Sequence, residues 1–216
     1  GEPTQYLTGV KEFYNRPFRV DPRVLIPRPE TELLVEAVLR ALPKDAPTRV
    51  LDLCTGSGCV AVSIAAERPQ ASVWATDASS EACDVARFNA EALEVDARVT
   101  VRQGDLFEPL PAGALFDVVT ANPPYVKTSE LDALPVEVRR EPRVALDGGP
   151  DGMFLIERIA RQAGEWLKPG ALLAMEISDT QGEAARALLA ETGYAEVRIE
   201  KDLARLDRLA FGRRPT

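Results

Sequence analysis

Asn122-Pro123-Pro124-Tyr125 puts an amide, two prolines and a phenol in consecutive positions. The preceding run, Phe116-Asp117-Val118-Val119-Thr120-Ala121, reads as a buried strand. Proline cannot continue a hydrogen-bonded ladder, and a residue before proline is held extended. Asn122 is therefore expected at the carboxyl end of a strand. Its side-chain oxygen and the nearby backbone carbonyls would face a crevice, with Tyr125 as an aromatic face beside them. Such a row of acceptors suits a flat group with NH2 on an sp2 carbon, either a carboxamide or a nucleobase amine. An ordinary strand-ending loop has the same local form, so other residues must decide.

A second cluster lies upstream. Asp52-Leu53-Cys54-Thr55-Gly56-Ser57-Gly58 leads from a strand into a helix, and its glycines allow a tight turn close to a ligand. The spacing only partly matches a dinucleotide fingerprint, with Ala61 at the third glycine position, and there is no phosphate-loop lysine. Asp77, about 20 residues beyond the glycines, is placed to accept both hydroxyls of a ribose. Capping the helix after Ser79-Ser80 is its blander reading. Asp105, after Gly104, could accept from an adenine amine. Asp52 would repel a pyrophosphate and suits an ammonium or sulfonium centre. That favours S-adenosylmethionine, leaving S-adenosylhomocysteine as product, over a nicotinamide cofactor.

The rest of the composition narrows the chemistry. The 216 residues include no histidine, which removes Ser-His and Cys-His nucleophiles and most imidazole-bound metals. No metal site is expected. The three cysteines, Cys54, Cys59 and Cys83, have no CxxC spacing and suggest a reducing, cytoplasmic setting. Net charge is -8, from 26 basic and 34 acidic residues, so no direct nucleic-acid partner is expected. No apolar run reaches the roughly 18–20 residues of a membrane span, so no membrane partner is expected. The chain opens on Gly1 rather than Met, so residues preceding it are expected in the natural protein.

These groups need a scaffold. Residues 10–21 read as a hairpin around Asn15-Arg16-Pro17, and 24–29 as extended chain broken by prolines. A helix is expected over 31–42, ended by Pro43. From Arg49 strand and helix alternate. Strands are expected at 50–53, 72–76, 98–102, 116–121, 171–177, 195–200 and 208–212. Helices are expected at 58–68, 81–93 with Ser80 as cap, 151–167 and 181–192. This order implies right-handed crossovers and a parallel sheet, with ligands at the strands' carboxyl ends. Asp52 to Gly58, Asp77, Asp105 and Asn122 all fall at such ends.

With these residues in view, the chain resembles the HemK-type protein-(glutamine N5) methyltransferases that modify release factors. The run Val24-Leu25-Ile26-Pro27-Arg28-Pro29-Glu30-Thr31-Glu32 is the most specific part of the likeness. Residues 52–58, 104–109, 122–125, 141–149, Gln181-Gly182-Glu183 and Asp207-Arg208 extend it over nearly all the chain. The tetrapeptide is shared with methyltransferases acting on adenine, whereas the proline-rich run is not.

The resemblance implies a class I, Rossmann-like α/β fold of seven strands with the last pair antiparallel. Residues 1–30 would form a β-hairpin and linker, and 31–216 the methyltransferase domain. It implies methylation of the glutamine in the Gly-Gly-Gln loop of a peptide chain release factor. Cofactor contacts would come from residues 54–58, Asp77, Leu106 and Asn122. Asn122, Pro123, Pro124 and Tyr125 would hold the glutamine during direct in-line transfer. Three departures stand out. Cys54 replaces a usual glycine, Leu106 replaces a frequent aromatic, and the relatives' N-terminal helical domain lies outside this chain.

Several readings stay open at this stage. The acceptor could be a glutamine of a ribosomal protein, or an adenine or guanine amine of nucleic acid. The chain could also be a non-catalytic adenosyl-binding module. Arg28, Glu30 and Thr31 either close over the cofactor or form a surface salt link and a helix start. Glu176 serves the fold or supports a site residue, and Trp74 and Trp166 read as core. Arg139, Arg140 and Arg143 meet an acidic partner, ribosomal RNA or only solvent.

Overall fold

From Thr48 onward, short runs of β-branched residues alternate with helix-forming stretches, and the structure follows that alternation. The computed structural model describes all 216 residues. The elements are α1 (Thr4–Thr8), β1 (Val10–Phe13), β2 (Arg16–Arg19), α2 (Glu32–Ala41), β3 (Thr48–Leu53), α3 (Cys59–Glu67), β4 (Ala71–Asp77) and α4 (Ser80–Ala92). They continue with β5 (Val99–Gln103), β6 (Phe116–Ala121), α5 (Phe154–Trp166), β7 (Leu167–Glu176), α6 (Gly182–Glu191), β8 (Ala195–Lys201) and β9 (Asp207–Arg213).

The main sheet has seven strands in the order β5-β4-β3-β6-β7-β9-β8. Neighbours from β5 through to β7 pair parallel, whereas β7–β9 and β8–β9 pair antiparallel. The expected class I architecture is thus what the chain forms, together with the N-terminal hairpin β1–β2. Strand order reverses beside β3, and the crevice there is where such sheets bind ligands. The register aligns the edges of this crevice. Leu53 pairs with both Thr76 and Ala121, and Ala121 pairs with Met175. The residues just beyond, Cys54, Asp77, Asn122 and Glu176, therefore emerge at one edge.

Alternation along the central strands sends side chains into two cores. Val50, Val73, Val118 and Leu172 pack with α2, α3 and α4 on one face. Leu51, Leu53, Val119 and Leu173 pack with α5 and α6 on the other. The hairpin joins the first core through Phe13 and Phe18, whose rings meet edge to face at 5.9 Å. Trp166 stacks on Phe107 at 5.8 Å, and both tryptophans lie against the second core. No helix is long and apolar enough to cross a membrane.

Several boundaries differ from expectation. The hairpin turns at Tyr14-Asn15, both with positive φ, which matches the strands' twist. Helix α4 is capped by Ser79 rather than Ser80, its Oγ accepting from the Ala82 amide at 3.2 Å. Helix α5 starts at Phe154 instead of 151, because Asp151 caps the turn before it, accepting from the Met153 amide. Helix α1 and the 3-10 turns at Thr128–Ala133, Val138–Arg140 and Arg143–Ala145 carry no periodic signal and were not expected.

Candidate active site

The loop between β3 and α3 is built around left-handed backbone. Cys54, Gly56 and Gly58 have φ of 56°, 55° and 79°. Two hydrogen bonds fix the turn, from the Thr55 amide to the Thr76 carbonyl at 3.0 Å and from the Gly58 amide to the Thr55 carbonyl at 2.8 Å. Cys54 shows that a Cβ is tolerated at its angle. A Cβ at Gly56 would have no atom within 4 Å, so the backbone there borders open space. Asp77 ties the loop to α4, one oxygen accepting from the Gly56 amide and the other from the Ser79 amide, each at 2.9 Å.

This loop forms the floor of an open cleft. Asp52, Cys54, Thr55, Gly56, Ser57, Asp77 and Asn122 all line it. Asp52 is buried, its carboxylate accepting from the Thr55 hydroxyl at 2.6 Å, and burial pushes its pKa up to about 7. Burial also raises Asp77 against the pull of its two amide donors. The arginines of the wall have partners already, Arg23 on Asp21 and Arg28 on Glu141. The cavity therefore presents two carboxylates without a cation and the unpartnered buried hydroxyl of Ser57. These groups fit a cationic ligand carrying hydroxyls.

A second hollow adjoins the first. Asn122, Pro123, Pro124 and Tyr125 all line it, and Asn122 and Pro124 border both spaces. The tetrapeptide thus faces the second cavity as a whole and the first through Asn122 and Pro124. Asn122 donates from Nδ2 to the Thr31 hydroxyl at 3.2 Å, while its Oδ1 accepts nothing within the chain. The carbonyl of buried Pro123 likewise has no donor. Tyr125 donates its hydroxyl to Glu176 at 3.1 Å. Burial and that carboxylate push the phenol well above its ordinary value, so it stays protonated.

Three positions expected at the cofactor do not line the cavity. Gly58 serves packing, since a Cβ there would stand 3.2 Å from the Ala86 Cα. Asp105 pairs with Arg158, which grips both its oxygens at 2.7 and 3.2 Å. Leu106 is buried in the second core, and its carbonyl accepts from the Thr76 hydroxyl at 2.9 Å.

Of the residues expected either to close over the cofactor or to form a salt link and a helix start, Arg28 and Thr31 line the wall and Glu30 does not. Val24, Leu25, Pro27, Arg28 and Thr31 form one side, and Pro142, Val144 and Ala145 another. Glu141 joins the two, accepting from the Ile26 amide at 2.9 Å and from the Arg28 guanidinium. Its burial on a loop has no periodic signature. The chain from 126 to 149 closes over the site through Val126–Leu146, Gly148–Val126 and Thr128–Gly149 backbone hydrogen bonds. Arg139 and Arg140 are exposed on this loop, and Arg143 lies 3.4 Å from Asp147.

Residues 30–138 match the family described as Methyltransferase small domain. Over 216 residues the chain is 47% identical to the release factor glutamine methyltransferase of Moorella thermoacetica, covering 99% of this chain and 76% of that protein. It is 45% identical over 214 residues to the protein of the same name from Neisseria gonorrhoeae, covering 99% and 77%. Its fold is similar to that of a methyltransferase from Pyrococcus furiosus, with a TM-score of 0.69, 17% identity, and 94% and 91% of the two chains covered.

Proposed function

The chain belongs to the release factor glutamine methyltransferase family, and from that premise we propose that it methylates N5 of the glutamine in the Gly-Gly-Gln motif of a peptide chain release factor, with S-adenosylmethionine as donor. The observation that carries this reading is the pair of free acceptors, Asn122 Oδ1 and the Pro123 carbonyl, on adjacent residues that line the second cavity, with Asn122 bordering the first as well. A primary amide has two N–H bonds to offer, and two acceptors match them.

The loop 54–57 would cradle the donor, Asp77 would accept the ribose hydroxyls, and Asp52 would face the cationic part. When bound, the donor supplies an electrophilic methyl carbon on a sulfonium. Asn122 and Pro123 hold the acceptor NH2 in one orientation. An amide nitrogen is a weak nucleophile because its lone pair is delocalised. As it gains positive character both hydrogen bonds strengthen, so they act mainly in the transition state. Tyr125 lies along the planar amide and excludes water. Its phenol, neutral and anchored on Glu176, orients rather than moves a proton, and the N-methylated amide, a strong acid, gives up its surplus N–H proton to water as the product leaves. Positioning of this kind can supply about 7–11 kcal/mol of the barrier.

Residues 1–30 serve as a hairpin and linker on the methyltransferase domain formed by 31–216. The hairpin's separate two-stranded sheet supports that division, and Phe13 and Phe18 seat it on the first core. The setting is cytoplasmic, consistent with three unpaired cysteines.

Mass spectrometry decides the substrate. After incubation with donor, a release factor should gain one methyl group on the Gly-Gly-Gln glutamine. An unmodified release factor beside a methylated ribosomal protein or RNA would overturn the assignment.

A further inference from the structure

Glu176 ends β7 almost wholly buried, yet no cation pairs with it. Arg208 is the nearby positive charge, and it is held by Asp202 at 3.2 Å. A carboxylate taken out of water without a counter-ion costs stability, so its retention calls for a reason. Its two oxygens are met by two hydroxyls. Thr31 donates to one at 2.7 Å, and Tyr125 to the other at 3.1 Å.

Thr31 is itself buried at the start of α2. A hydroxyl has one hydrogen, and here it is committed to the carboxylate. Toward Asn122 the oxygen can then only accept. Asn122 must answer with an N–H, at 3.2 Å, and a planar amide that turns its NH2 to Thr31 turns its oxygen the other way. The orientation of an asparagine amide is settled by such a network and not by its shape. A reversed amide would present N–H groups to the N–H groups of a substrate.

We propose that Glu176 and Thr31 are positioning residues that act through Asn122, the carboxylate fixing the Thr31 proton and thereby holding the Asn122 oxygen toward the acceptor amide. This rests on the glutamine reading above and adds what makes the site select an NH2 group. Neither residue lines the second cavity, where the tetrapeptide would hold the acceptor amide.

The test compares Thr31→Val, Thr31→Ser and Glu176→Gln in the full chain, with a Gly-Gly-Gln peptide as acceptor. Thr31→Val should lower kcat/KM for the peptide by about 10–100-fold, the usual effect of removing a group that orients a reacting residue by hydrogen bonding. Thr31→Ser should restore it, and Glu176→Gln should fall between. Binding of S-adenosylhomocysteine, read by calorimetry, should be unchanged in Glu176→Gln, because Glu176 lines neither cavity. The Asn122 side-chain NH2 protons should exchange faster in Thr31→Val and not in Thr31→Ser. In an Asn122→Ala background, Thr31→Val should cost nothing further, because the residue it acts through is gone.

Undiminished kcat/KM in Thr31→Val, failure of Thr31→Ser to restore it, or a full added cost on top of Asn122→Ala would each overturn the proposal while the wild type still methylates. A wild type that leaves the peptide unmethylated overturns the function reading itself, and this inference with it.

Discussion

Gly152→Ala isolates what holds the 122–125 corner in place. Gly152 has φ of +79°, and a Cβ there would collide with the Tyr125 backbone carbonyl and stand 2.8 Å from Gln181 Nε2. The same Gln181 nitrogen donates to the carbonyls of Gly152 at 3.0 Å and Tyr125 at 3.3 Å, so nothing nearby can simply swing aside. Left-handed backbone costs a residue with a Cβ about 1–2 kcal/mol. Forcing a methyl into a packed site adds about 1–3 kcal/mol. Together these give a loss of about 2–5 kcal/mol, or about 4–20 °C in Tm for a chain of this size. Gly113→Ala separates the two contributions. Its φ is +76°, but a Cβ there meets nothing within 4 Å, so only the conformational part, about 1–2 kcal/mol, applies. Denaturant unfolding of both variants, fitted with a common m-value, reads the difference. If Gly152→Ala is no less stable than Gly113→Ala, the tight seat assigned to Tyr125 is wrong.

Three further outcomes are expected. Asn122→Ala should lower kcat by about 10²–10³, as for removal of one preorganised partner of a developing charge, with donor affinity nearly unchanged by calorimetry; an equal loss in both would point to a cofactor role instead. Asp52, pushed up to about 7 by burial, should release part of a proton when a cation enters the cavity. Near pH 7 the binding enthalpy of S-adenosylmethionine should therefore depend on the buffer's ionisation enthalpy more than that of S-adenosylhomocysteine. Glu176 is raised above an ordinary carboxyl, first by burial and also by Glu30, against the Thr31 and Tyr125 hydroxyls and Arg208. Peptide kcat/KM at saturating donor should fall as pH drops through that raised value, with the acid limb gone in Glu176→Gln. The stability contribution has the opposite sign. A raised folded-state pKa adds stability below the unfolded value and loses it as pH rises through the folded one, so this acid limb should appear without a Glu176-driven loss of Tm.

The proline pair after a buried strand was enough to place Asn122 at a strand end, because proline's missing N–H and fixed φ act within a few residues. The glycine loop and Asp77 were legible for the same reason, as was the order of strands and helices from Val50 onward, since hydrophobic periodicity is local. Asp105 shows where local reading stops. Its place after a strand suggested a ligand contact, but Arg158, 53 residues away, takes both of its oxygens. The Glu141 link to Ile26 across 115 residues and the Thr31–Glu176 contact across 145 were equally out of reach. Which groups could do chemistry was determined by residue type and short-range backbone rules. Which of them meet was decided by sheet register and by how segments far apart in sequence fold over the crevice, because a side chain's hydrogen-bond partner is chosen by distance in space and not along the chain.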